Sequence, residues 1–142
     1  SNLIQMLRPI QLKERGLVEA LREQLKAWEK HSGVAAIYQV EGDGSLSEEA
    51  SQAVFRVAQE ALSNISRHSQ ATAASVALVF KEGSLEVSIR DNGHGFDPDA
   101  VSKGMGLKSM QERIQSVGGK LNIRSTSAGT VLSLQVPQGD QA

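Results

Sequence analysis

The sequence predicts one α/β domain, a two-layer sandwich in which about three helices cover one face of a mixed five-stranded sheet. Three observations lead there. Two long stretches and one shorter one repeat apolar residues at helical spacing. Five short stretches are β-rich or alternate between apolar and polar residues. Turn residues separate these stretches into the order α-β-α-β-β-α-β-β.

The first segment, Leu3, Ile4, Met6 and Leu7 followed by Arg8-Pro9, reads as the tail of an upstream element halted at proline. From Arg15 to about Lys30, Leu17, Val18, Leu21, Leu25 and Trp28 form an amphipathic stripe that Gly33 ends. Val34 to Val40 is β-rich, and Glu41-Gly42-Asp43-Gly44 is a turn. Ser47 suits an N-cap, with Glu48 and Glu49 where the helix dipole favours anions. The helix that follows carries Ala50, Ala53, Val54, Val57, Ala61, Leu62 and Ile65 and runs to about His68. Val76, Leu78 and Phe80 alternate, as do Leu85, Val87 and Ile89, around a Lys81-Glu82-Gly83-Ser84 hairpin turn. A glycine-rich loop from Asp91 to Gly106 leads into a helix from Leu107 to Val117, stopped by Gly118-Gly119. Strands at Lys120 to Ser125 and Thr130 to Val136 complete the sheet. The expected division is residues 1–11 as a stub of an upstream element and linker, 12–137 as the domain, and 138–142 as a frayed tail.

Composition narrows the function. The 142 residues include no cysteine, which excludes disulfides, thiolate metal sites and a cysteine nucleophile. The formal charge of −1 gives no broad basic surface for nucleic acid. No apolar run approaches the roughly 20 residues of a membrane span. Aromatic residues, at 4%, are too sparse for a base-stacking module.

Four short patterns carry chemistry. Glu60, Asn64 and His68, with Arg67 beside them, line one flank of the apolar stripe on the long helix, where polar groups need partners. Alone they also fit an ordinary solvated helix edge. Asp91-Asn92-Gly93-His94-Gly95 follows a strand; its glycines let backbone approach a ligand, although a simple turn would look the same. Lys103-Gly104-Met105-Gly106-Leu107 opens a helix whose first N–H groups favour phosphate, or it is a linker with a glycine cap. Gly129-Thr130 starts the last strand.

In this order the four patterns resemble the N, G1, G2 and G3 boxes of the GHKL ATPases, from about Leu12 to Pro137. That family includes histidine kinases, type II topoisomerase and mismatch-repair ATPases, and a heat-shock chaperone. The runs Gln59 to Thr72 and Gly104 to Gly119 are similar to bacterial sensor histidine kinases of the nitrate-sensor type. The short stretch between Gly95 and Gly104 suits that subfamily, while Arg67 stands where it usually has lysine.

The resemblance implies a Bergerat-type fold, ATP and Mg²⁺ as cofactors, and transfer of the γ-phosphate to a histidine. It implies that Asn64 holds Mg²⁺ and that Glu60 is the catalytic carboxylate polarising the attacking group. Asp91 would accept from the adenine amino group with Thr130 in support. Gly93, Gly95, Gly104, Gly106 and Leu107 would shape the pocket and lid, and Arg67, His68 and Lys103 would face the phosphates. None of His31, His68 and His94 has the setting of a phosphoacceptor, and residues 1–11 would be the stub of a dimerisation helix and its linker. The expected partners are therefore a dimerisation and phosphoacceptor domain of the same protein and a response regulator with a helix-turn-helix output domain. The isolated domain is expected to be a monomer from a homodimeric, cytoplasmic parent, membrane-anchored or not, with no direct nucleic-acid contact. Two other readings share the fold: a non-catalytic nucleotide-binding regulatory module, and a serine kinase of the anti-sigma type.

Overall fold

Helix α1 runs from Pro9 to Ser32 in a computed structural model that describes residues 9–94 and 106–139. Proline suits the first helical turn, where its missing N–H has no helical partner to lose. The path breaks at Gly16 (φ 79°, ψ 166°), a conformation that side chains exclude. Helical structure therefore starts upstream of the Arg15 that periodicity suggests, and the amphipathic stretch follows the break. Its stripe of Leu17, Leu21, Leu25 and Trp28 is buried.

Two polar contacts fasten α1 to strand β1 (Ala35–Glu41), which forms one edge of the sheet. Glu29 Oε2 accepts the Ala36 N–H at 2.8 Å, and the Tyr38 hydroxyl donates to the Val18 carbonyl at 2.8 Å. The first contact occupies a backbone donor that an edge strand otherwise exposes. Burial pushes the Tyr38 hydroxyl up to about 12, against the opposing pull of Arg22, whose guanidinium stands 5.1 Å from the ring centre.

Helix α2 (Glu48–Asn64) starts as expected, with the Ser47 hydroxyl accepting the Ala50 N–H at 3.1 Å. The helix does not continue unchanged to His68. Residues Ile65–Ser69 form a π-turn, and Gln70, left-handed at φ 56°, ends it. Such a widened turn re-aims the side chains it carries. The Trp28 indole donates to the Leu62 carbonyl at 2.9 Å, joining α1 to the last turn of α2.

Strands β2 (Ala73–Lys81), β3 (Ser84–Asp91), β4 (Lys120–Thr126) and β5 (Gly129–Pro137) complete a sheet of order β1-β2-β3-β5-β4. The β1–β2 pair is parallel and the rest are antiparallel, so the sheet is mixed as predicted. Helix α3 (Leu107–Gln115) connects β3 to β4 and buries Met110 and Ile114. The inward side chains are Ala74, Val76 and Leu78 of β2, Leu85, Val87 and Ile89 of β3, and Leu132, Leu134 and Val136 of β5. Among the described residues no helix is long and apolar enough to cross a membrane.

The expected frayed tail is tied down where it begins. The Gln138 amide donates to the Lys81 and Ser84 carbonyls at 2.6 and 3.2 Å, and its oxygen accepts the Ser45 N–H at 3.1 Å. The Gly139 N–H reaches the Ser45 carbonyl at 3.1 Å. The sequence hides this because a glutamine has no local signature for the two distant loops, at Ser45 and at Lys81–Ser84, that meet around it.

Candidate functional site

Strand alternation puts Asp91 on the same face as Leu85, Val87 and Ile89, beneath the helices. Its register partners are Ala74 on one side and Thr130 on the other, both buried. A carboxylate thus ends a row of core residues. Asp91 Oδ1 accepts the Gly93 N–H at 2.8 Å. Burial raises the carboxyl above its ordinary value; the Gly93 N–H, His94 and the Thr130 N–H oppose the shift. Gly129 permits the crossing, because a Cβ there would collide with the Asp91 carbonyl oxygen.

A cleft opens between this row and the end of α2. Its polar lining is Asn64, Asp91 and Thr130, and its apolar walls are Ala61, Ile65, Ile89, Met110, Ile123 and Leu132. Asn64 (8% exposed) and Thr130 (6%) are the buried polar side chains among the described residues, and both lie here. Thr130 Oγ1 has no hydrogen-bond partner among the described residues. A buried hydroxyl without a partner costs folding free energy of about 1–3 kcal/mol, which a ligand can recover. The cleft is narrow, about 20 Å³. Met110, unbranched and adaptable, is the wall best suited to part around a flat ring.

Beside it lies a wider groove of about 460 Å³ between α1, α2 and α3. Met110 belongs to both spaces. Glu60 lines the groove, and a Cβ on Gly106 would lie 3.5 Å from its carboxylate. The helix α2 pattern and the glycine that caps α3 are therefore neighbours. Arg67 bridges the α2 residues, donating from Nη2 to Asn64 Oδ1 at 3.0 Å with Glu60 Oε2 3.6 Å away. Oxygen donors of this kind, an amide and a carboxylate, suit a hard divalent cation such as Mg²⁺.

Asn64, Asp91, Gly93 and Thr130 thus meet at the cleft, and Glu60, Gly106 and Arg67 beside it. Leu107 is half-buried in the first turn of α3, against the core. The backbone of His68 lies in the π-turn, but its side chain is outside the described residues, as are Gly95, Lys103 and Gly104.

Sequence reasoning missed two groups. The six apolar walls read as core because alternation and helical period look the same for a residue facing a cleft or another side chain. Asn92 is the second, a position to which the glycine pattern assigns no role. Its side-chain oxygen accepts the Thr72 and Ala73 N–H groups at 2.9 and 3.0 Å, and its amide donates to Thr72 Oγ1 at 3.0 Å. This knot fixes the exit of β3 against the entry of β2, and so the backbone that presents Asp91. A free Asn after Asp, with a Thr before a strand, is the signal available, and it is a weak one.

The chain is similar to several known proteins. The chain is 36% identical over 137 residues to the sensor histidine kinase LiaS of Bacillus subtilis, covering 95% of this chain and 38% of that protein. It is 35% identical over 143 residues to the oxygen sensor histidine kinase NreB of Staphylococcus carnosus, covering 98% and 41%. The chain therefore spans about two fifths of the length of these relatives. The histidine kinase domain of the blue-light activated histidine kinase of Erythrobacter litoralis shares the fold, with a TM-score of 0.69 at 23% identity, over 85% of this chain and 64% of that one. Residues 49–140 match the family described as histidine kinase-, DNA gyrase B- and HSP90-like ATPases, and the chain belongs to that family.

Proposed function

We propose that this chain is the ATP-binding catalytic domain of a sensor histidine kinase, donating the γ-phosphate of ATP to a histidine on a separate dimerisation domain. The observation that carries the reading is the cleft: the buried polar side chains Asn64 and Thr130 line it together with the half-buried carboxylate of Asp91, and the rest of its lining is apolar. A flat heterocycle with one amino group fits that donor and acceptor pattern. Apolar walls would sandwich the adenine ring, Asp91 would accept from its amino group, and the Thr130 hydroxyl would gain the partner it lacks.

The phosphates would then extend past Asn64 toward the groove that Glu60 lines. Asn64 Oδ1 offers an oxygen ligand for Mg²⁺, which, when bound, neutralises charge on the transferring phosphoryl group. Glu60 would polarise the incoming imidazole, and Arg67 would meet phosphate oxygens as a planar multidentate donor. In such a reaction the protein mostly positions groups and balances charge. The partner would be the phosphoacceptor domain, with a response regulator downstream, and the parent protein a homodimer in the cytoplasm or at a membrane. The names of the relatives support this reading.

The test mixes this chain with a dimerisation segment bearing an acceptor histidine, in γ-labelled Mg·ATP. Acid-labile label should appear on the segment, and Glu60→Gln should lower transfer while leaving nucleotide affinity within a few-fold. Binding without transfer would point to a regulatory module, and acid-stable label to a serine kinase.

A further inference from the structure

Arg67 occupies a position that the reading above gives to a metal. Its Nη2 donates to Asn64 Oδ1 at 3.0 Å, lies 3.6 Å from Glu60 Oε2, and its Nε donates to the Ser63 carbonyl at 3.4 Å. The Asn64 oxygen is the one proposed to meet Mg²⁺. A magnesium ion on Asn64 Oδ1 would sit within about 5 Å of that guanidinium nitrogen, at a metal–oxygen distance near 2.1 Å. Two cations that close repel, and the single Glu60 carboxylate beside them offsets only part of their combined charge.

We propose that Arg67 is a positioning residue that holds the Asn64 oxygen until the metal–nucleotide complex arrives and then gives that oxygen up to the metal. The inference rests on the proposed nucleotide reading. Three features favour such an exchange. Asn64 is buried, so its side-chain oxygen needs a hydrogen-bond donor or a cation, and Arg67 supplies a donor. The Arg67 side chain is 53% exposed, so letting go costs little and solvent is there to receive it. The π-turn carrying Arg67 sits directly after Asn64, so the guanidinium can leave that oxygen and reach an incoming phosphate without moving α2. The device orders assembly: a bare divalent cation meets a position already filled by positive charge, whereas one arriving with polyphosphate brings the anion that draws Arg67 away.

The experiment follows the arginine Nε–H and asparagine side-chain amide signals of the ¹⁵N-labelled wild-type chain, nucleotide-free, with ADP in EDTA, and with Mg·ADP. The Asn64 signal should move only with Mg·ADP, and the Arg67 signal should move with it. Saturation with Mg·ADP that leaves both signals in place overturns the proposal, as does an Asn64 shift already complete in ADP with EDTA. A second measurement titrates Mn²⁺ alone. Arg67→Met should bind it about 2- to 5-fold more tightly than wild type, and Arg56→Met, which removes an equal charge from the neighbouring groove, should not. No gain in Arg67→Met, or an equal gain in both, overturns it. Nucleotide that binds without the exchange sinks this inference alone, whereas wild type that binds no nucleotide sinks the functional reading as well.

Discussion

Replacing Asp91 by asparagine keeps the shape of the cleft and changes one group in it. Oδ1 is committed to the Gly93 N–H at 2.8 Å, and an asparagine oxygen can hold that bond. The amide nitrogen then takes the place of the second carboxylate oxygen, so a donor faces the adenine amino group. Losing a charge-assisted hydrogen bond costs about 1.5–3 kcal/mol, which is about 10- to 150-fold in affinity. The fold itself should suffer little. Because burial raises the Asp91 carboxyl, the folded chain favours its protonated form, and the ionised group at neutral pH weighs against folding. Asparagine removes that cost, though the Thr130 N–H loses a charged acceptor. Calorimetric titration with Mg·ATP and Mg·ITP, alongside thermal melts, separates the two effects. The variant should lose affinity for ATP, gain relative preference for inosine, whose ring offers a carbonyl at that position, and melt close to wild type. Acidification should mimic the loss in wild type alone, beginning at higher pH than an ordinary carboxylate would dictate. An ATP affinity within 3-fold of wild type, with no shift toward ITP, would refute the assignment of Asp91 to the base.

Three further outcomes follow from the fold. Gly129→Ala forces a Cβ onto the Asp91 carbonyl at a backbone φ of 140°, and chemical denaturation should show a loss of at least about 2 kcal/mol. Tyr38→Phe should flatten the alkaline limb of stability. Wild type holds the phenol at about 12 against 10.0 unfolded, so the benefit is complete below pH 10 and is lost as pH climbs toward 12, which urea titrations across that range would read. Gln138→Ala removes three hydrogen bonds that join the β2–β3 hairpin to the loop before α2, and should cost about 1–3 kcal/mol, with faster amide exchange at Ser45.

Much of this molecule was legible in its sequence, for reasons that differ by element. Helix α2 announces itself through Ser47, the acids after it and an apolar stripe, all local signals that the tertiary structure reinforces. The hairpin at Gly83 and the alternation of Leu85, Val87 and Ile89 fix a register in which Asp91 stands opposite Ala74. Gly16 and the π-turn at Ile65–Ser69 were not legible, because each departs from a regular period that the surrounding residues still obey. Asn92 and Gln138 were missed for a different reason. Their partners lie some 20 and more than 50 residues away, and no local pattern encodes a side chain that bonds to distant backbone. In the site, the residue types gave the chemistry, but the contact of Arg67 with Asn64 belongs to side-chain geometry.

The lone tryptophan of the chain has a practical consequence. Trp28 is 9% exposed, and its indole N–H is bonded to the Leu62 carbonyl, two residues before Asn64. Indole emission responds to the loss or lengthening of such a bond, and there is no second tryptophan to obscure it. The chain thus carries its own optical reporter, placed behind the helix end that bears Asn64. Occupancy of the cleft can be followed in unlabelled protein, in real time, by the colour and intensity of its fluorescence.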